Sequence, residues 1–226
     1  KEDMNAISNI LKERGLSTIR IQFKEDLRDA LNSGLSELYQ GVFADPPYNE
    51  SFQKKEVEDI FYSYLEQGGK IFVTIDKVGR PVAFVASVPL KADFSVAAAS
   101  GGQVNTELTA YFAEDGVEKE LRQMGLSAKM KNMLISACKA DGLETLLLRT
   151  SIYNYKQISA VNKAGGSVIS GLFQQVTSTR SDGTMGQDAR CFYTFDLQSA
   201  DSNAVTTLNR VTIVRPGGND TAIVWD

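Results

Sequence analysis

The chain has 226 residues, 42% hydrophobic and 23% charged, which is enough to bury one sizeable core. A net charge of -4 excludes the polycationic footprint that grips a phosphate backbone, and the lack of histidine excludes Ser-His-Asp and Cys-His nucleophiles and the usual zinc ligand sets. No stretch approaches the roughly 18 uninterrupted apolar residues of a membrane span, and no export pattern opens the chain. The expectations are therefore no nucleic acid, no membrane, no metal and a cytoplasmic location.

Met4, Ile7, Ile10 and Leu11 predict a short amphipathic helix stopped by Gly15. Ile19, Ile21 and Phe23 then alternate with polar neighbours, the period of a strand. Residues 25–43 carry Leu27, Leu31, Leu35, Leu38 and Val42 at helical spacing as far as the breaker run Asp45-Pro46-Pro47. A further helix spans 54–66 and ends at Gly68-Gly69. Two β-rich runs, KIFVTID and PVAFVASVPL, flank a hairpin connection at residues 77–80. The small-residue stretch ADFSVAAASGGQVN reads as a loop or short hairpin, and 107–117 as another strand.

Leu126, Met130, Met133, Leu134, Ala137 and Cys138 form one helical stripe closed by Gly142. TLLLRT, residues 145–150, is apolar enough for a strand covered on both faces. A helix from Tyr155 to Ala164 follows, then strands at 167–177 and 190–197 around the polar loop SDGTMGQD. Two alternating runs about Pro216-Gly217-Gly218-Asn219-Asp220 predict a terminal hairpin. Cys138 and Cys191 lie far apart with no CxxC and read as buried free thiols.

Arg122-Gln123-Met124-Gly125-Leu126-Ser127 sits between a predicted strand and an amphipathic helix. A tight turn opening a helix points unpaired backbone N–H groups at one spot and adds the positive end of the helix dipole, a place for a diphosphate. Gly125 permits close approach of backbone to phosphate, and Arg122 adds charge.

This segment is similar to the R/Q-x-x-G-x-G/A loop of the GNAT acyltransferases, with Ser127 in the last place. The element order over residues 17–197 resembles the same family. The resemblance implies an α/β (α+β) fold: a mixed, mostly antiparallel sheet of about seven strands flanked by helices. The domain would span 17–198, with an N-terminal helix in 1–16 and a C-terminal β-hairpin extension in 199–226.

It also implies acetyl-CoA or another acyl-CoA as co-substrate, held by Arg122, Gln123, Met124, Gly125, Leu126, Ser127 and Asn154. Backbone groups of Gly116 and Val117 would polarise the thioester in a cleft between the strand ending at Val117 and TLLLRT. The family's Asn followed by Gly-Phe eleven residues on has its counterpart in Asn154 and Gly165. Its frequent Tyr acid is Val161 here, however, and its Phe is Gly166. Glu114 takes the place of the family's carboxylate base, and Tyr155, with Tyr153 beside it, is the candidate acid. Asp45, Tyr48 and Glu50 fall in the loop that borders the acceptor.

The implied activity is N-acetyl transfer to a small-molecule or peptide amine. The alternatives are synthesis of long-chain N-acyl amino acids from acyl-CoA or acyl carrier protein, or a non-catalytic acyl-CoA-binding module. The terminal hairpin, being marginal alone, predicts a homodimer.

Overall fold

The computed structural model describes residues 12–46, 48–100, 102–163, 165–198, 211–214 and 222–225. Seven strands share one sheet: β1 (Ser17–Ile21), β2 (Lys70–Ile75), β3 (Pro81–Pro89), β4 (Thr109–Val117), β5 (Thr145–Ser151), β6 (Ser167–Thr179) and β7 (Met185–Asp196). Their order is β1-β2-β3-β4-β5-β7-β6. β4 and β5 run parallel from Thr109↔Thr145 to Phe112↔Leu148, while β1·β2, β2·β3, β5·β7 and β6·β7 are antiparallel. This is the mixed, mostly antiparallel sheet that the family resemblance implies.

Two compact units divide the chain, residues 1–87 with 114–136, and residues 88–113 with 137–226. The first holds α1 (Lys24–Ala30), α2 (Ser36–Ala44) and α3 (Lys54–Glu66). Asp26 opens α1 by accepting the Phe23 N–H at 3.1 Å, and Glu56 opens α3 by accepting the Gln53 N–H at 2.6 Å. Their apolar faces bury Leu27, Tyr39, Val57 and Phe61 with Ile71, Val73 and Phe84 in one core cluster, which Leu35 joins from the turn between the first two helices. The Tyr39 ring stacks on Phe84 at 5.6 Å and meets the edge of Phe61 at 5.8 Å. Each such burial contributes about 1.5–3 kcal/mol.

The single helix predicted for 25–43 is broken. Residues Leu31–Leu35 form a wide turn in which Gly34 takes φ 117°, a conformation only glycine adopts without strain, and α2 starts afresh at Ser36. Leucine periodicity continues through the break, which is why it reads as one helix.

In the second unit, the stretch expected to be a loop or hairpin contains a helix, α4 (Phe94–Ala99). Asp93 caps it by accepting the Val96 N–H at 3.0 Å, so a local side-chain cap overrides the loop-like composition. α5 (Leu126–Ala140) begins in the first unit and ends in the second, and α6 (Tyr155–Lys163) follows β5. β7 starts at Met185 rather than 190, taking up half of the predicted polar loop. There Gln187 pairs with Thr177 and Asp188 with Val176, because a ladder of backbone hydrogen bonds needs no apolar side chain on a solvent-facing hairpin.

The terminal strands β8 (Val211–Val214) and β9 (Ala222–Trp225) pair antiparallel, Val211 with Trp225. The predicted N-terminal helix in 4–14 and the turn of the last hairpin lie outside the described residues. No helix among the described residues is long and apolar enough to cross a membrane.

Candidate acyl-donor site

The segment after β4 is pinned at both ends. The Glu118 N–H donates to the Val82 carbonyl at 2.8 Å, and Leu121, 2% exposed, plugs the turn into the core. Between this anchor and the first turn of α5, the chain is exposed or half-exposed and twice takes a left-handed conformation, at Gln123 (φ 65°) and Gly125 (φ 76°). A Cβ placed on Gly125 would meet nothing within 4 Å, so the space outside this backbone is open. The first hydrogen bond of α5 runs from the Lys129 N–H to the Gly125 carbonyl at 3.0 Å. The N–H groups of Leu126, Ser127 and Ala128 therefore have no acceptor within the helix, as at any helix start. Leu126 itself is buried at 3% exposure, so only its backbone can reach a ligand.

Arg122 is held twice, its Nε donating to the Val117 carbonyl at 3.0 Å and its Nη1 lying 3.2 Å from Asp45 Oδ2. The Val117 carbonyl is thus committed to the loop. Gly116 has a packing reason, for a Cβ there would fall 2.5 Å from Phe84 Cε1 and 3.0 Å from Val42 Cγ2. Ser127 donates its hydroxyl to Asp115 Oδ2 at 2.9 Å, and Lys131 Nζ stands 3.3 Å from the same oxygen. Asp115 is a participant the sequence reading missed. Alternation along β4 puts it on the opposite face from Glu114, and that signal was available.

Glu114 turns to the aromatic cluster, where the wholly buried Tyr39 donates its hydroxyl to Glu114 Oε1 at 2.6 Å. Burial, and then the negative charge of Glu114, push the Tyr39 phenol well above its ordinary range. Of the predicted acceptor rim, Asp45 is engaged by Arg122, Tyr48 packs edge-on against Phe43 at 5.0 Å, and Glu50 is 9% exposed. Asp45 and Arg122 lie on the rim of a depression of about 480 Å³ with Leu38, Gly41 and Val42.

Glu114, Gly116, Val117 and the loop from Arg122 to Ser127 thus come together in the first unit. Asn154 and Tyr155 belong to the second. Asn154, 8% exposed, accepts the Gln157 N–H on Oδ1 at 3.2 Å and the Ile158 N–H on its carbonyl at 3.0 Å, which makes it the cap of α6. Tyr153 and Tyr155 are 55% and 46% exposed. Val161, 4% exposed, fills the space over Gly166, where a Cβ would lie 2.5 Å from Val161 Cγ1 and 3.0 Å from Phe195 Cζ. The two departures from the family pattern are therefore packing partners. Cys138 and Cys191 are buried and form no disulfide, as expected.

No protein-family model matches the chain, and no curated protein matches its sequence. Solved structures do match its fold. The GNAT superfamily phosphinothricin acetyltransferase of Sinorhizobium meliloti, solved with acetyl-CoA, is 13% identical, with 86% of this chain and 95% of that one covered at a TM-score of 0.56. The ribosomal-protein-S18-alanine N-acetyltransferase of Escherichia coli is 16% identical, covering 83% and 98% at 0.54. A GNAT-family acetyltransferase of Staphylococcus aureus Mu50 is 16% identical, covering 80% and 99% at 0.52. The chain has the fold of the GNAT superfamily.

Proposed function

We propose that this protein is an acyl-CoA-dependent N-acyltransferase that moves an acetyl group from acetyl-CoA to a primary amine by direct attack. The observation that carries this reading is the open, left-handed Arg122–Ser127 turn at the mouth of α5, in a fold whose neighbours include a protein solved with acetyl-CoA. The N–H groups of that turn and the helix dipole hold the diphosphate, and Arg122 supplies charge.

The amine nitrogen attacks the thioester carbonyl, the C–N bond forms, the C–S bond breaks and the CoA thiolate leaves. Glu114 draws the ammonium proton, directly or through water. The thiolate takes a proton from Tyr155 or from water. Orientation of the amine and N–H donors aimed at the developing oxyanion, including those near Gly116 and Val117, carry most of the acceleration. Proton transfer by a placed side chain adds about 10²–10⁴-fold.

Titration calorimetry with CoA, followed by thiol release from acetyl-CoA across a panel of amines, tests the reading. Wild type should bind CoA and Gly125→Glu should not, while Glu114→Gln should bind CoA and lose most of its turnover. Undiminished CoA binding by the Gly125 variant would remove the diphosphate site. The packing of Val161 against Gly166, which leaves no phenol at the family's usual place for one, favours a second reading as an acyl-CoA-binding module. CoA binding with no thiol release for any amine would select it.

A further inference from the structure

The depression beside the donor turn holds about 480 Å³, the size of a small-molecule site, and every residue lining it belongs to the first unit. Leu38 and Val42 of α2 and Pro81 of β3 give it an apolar side. Gly41 lies inside α2, where glycine weakens a helix relative to alanine, yet a Cβ there would meet nothing within 4 Å. Packing therefore gives no reason for the glycine, whereas close approach of a ligand to the backbone does. Val42 also touches β4: a Cβ on Gly116 would fall 3.0 Å from its Cγ2, and Gly116 shares a strand face with Glu114. The depression thus adjoins the strand that carries the proposed base.

The charges around it are matched in pairs. Arg80 binds Glu118 through both Nη atoms, Glu37 meets Lys54 Nζ at 3.0 Å, and Arg122 meets Asp45 at 3.2 Å. Lys119 and Glu120, neighbours on an exposed turn, offset one another. A diphosphate on the Arg122–Ser127 turn draws Arg122 away, and of these carboxylates Asp45 alone then loses its partner. One negative charge is left on the rim of a cavity with an apolar side, the complement of a cation on a short methylene stem.

We propose that CoA binds first and, by taking Arg122, opens Asp45 to the second cationic group of a diamine acceptor whose stem lies in the depression. This rests on the acyltransferase reading above. Glu114 serves the reacting nitrogen, so the charge that Asp45 meets belongs to the far end of the acceptor. Asp45 then selects the acceptor and takes no part in the proton transfers.

Thiol release from acetyl-CoA, measured with linear diamines and the monoamines of equal chain length as matched pairs, tests this on the full chain. The diamine should have a KM lower by about fivefold, the worth of a partly exposed ion pair. In calorimetry the diamine should bind several-fold more tightly when CoA is present, and CoA should gain by the same factor from the diamine. Asp45→Asn should remove both the preference and the coupling while binding CoA no less tightly than wild type. Gly41→Leu should raise the KM of the diamine by filling the depression, with CoA affinity kept and the thermal midpoint no lower than wild type, a combination that a merely structural glycine would not give.

Equal KM values for diamine and monoamine, or diamine affinity indifferent to CoA, would overturn the proposal. So would a Gly41→Leu variant with an unchanged KM for the diamine. A protein that binds CoA but acetylates no diamine overturns this inference alone. One that binds no CoA overturns the reading beneath it as well.

Discussion

Val161 and Gly166 show how a single departure from a family pattern is decided by its neighbour. Gly166→Ala should cost about 1–3 kcal/mol, the usual penalty of overpacking, because the new Cβ falls within van der Waals distance of Val161 Cγ1. Trimming the other partner should soften that cost, so the Val161→Ala, Gly166→Ala double variant should be more stable than the sum of its parts predicts. Additive losses in urea unfolding would show that the two side chains do not share the space. Cys191 and Tyr39 make a second residue-level statement. Burial pushes the Cys191 thiol up to about 11, and burial and Glu114 raise the Tyr39 phenol. An acid that holds its proton more tightly when folded stabilises the fold fully below its unfolded pKa and loses that contribution as pH rises through the folded one. Stability should therefore begin to fall near pH 9 and continue past 11, and Cys191→Ala should flatten the first part of the decline. Urea midpoints between pH 8 and 11 that fall equally in wild type and variant would refute it.

At the scale of elements, the loop between β4 and α5 is tied to the end of α2 by the Arg122–Asp45 pair at 3.2 Å. Both side chains are about one-third exposed, so the pair itself is worth little, about 0–1 kcal/mol. Its consequence lies in competition, since a diphosphate at the proposed site seeks the same guanidinium. Asp45→Asn should tighten CoA binding about two- to fivefold, and Arg122→Ala should weaken it. Calorimetry showing weaker binding in the Asp45 variant would mean that Asp45 positions Arg122 for the ligand and does not compete with it. The elements also show where a one-dimensional reading fails. Leucines at helical spacing run straight through Leu31–Leu35, and only the positive φ of Gly34 breaks the helix there. The α4 helix was hidden by its small, Gly-flanked residues, although Asp93 three places before Val96 is a cap signature.

For the whole molecule, the paired strands β8 and β9 form a sheet of their own. A two-stranded ribbon is marginal in water, which supports the proposal that it gains stability by meeting a second copy of the chain. Light scattering should then give twice 24.7 kDa, and removal of residues 199–226 should give a monomer. A monomeric mass for the full chain rejects the dimer. Most strands and helices in their order, and the turn at Gly125, were legible in the chain because they follow from local periodicity, stop residues and backbone freedom, while the parallel partner of β4 came from the family resemblance, which supplied what periodicity could not. It also marked Glu114 and Asn154. Only the packed fold shows what those side chains touch: Tyr39 reaching Glu114 from α2, Asp45 holding Arg122, and Asp115 taking Ser127. Each is a meeting of residues distant in the chain, and periodicity carries no information about which side chain lies opposite which until the sheet and its helices have packed.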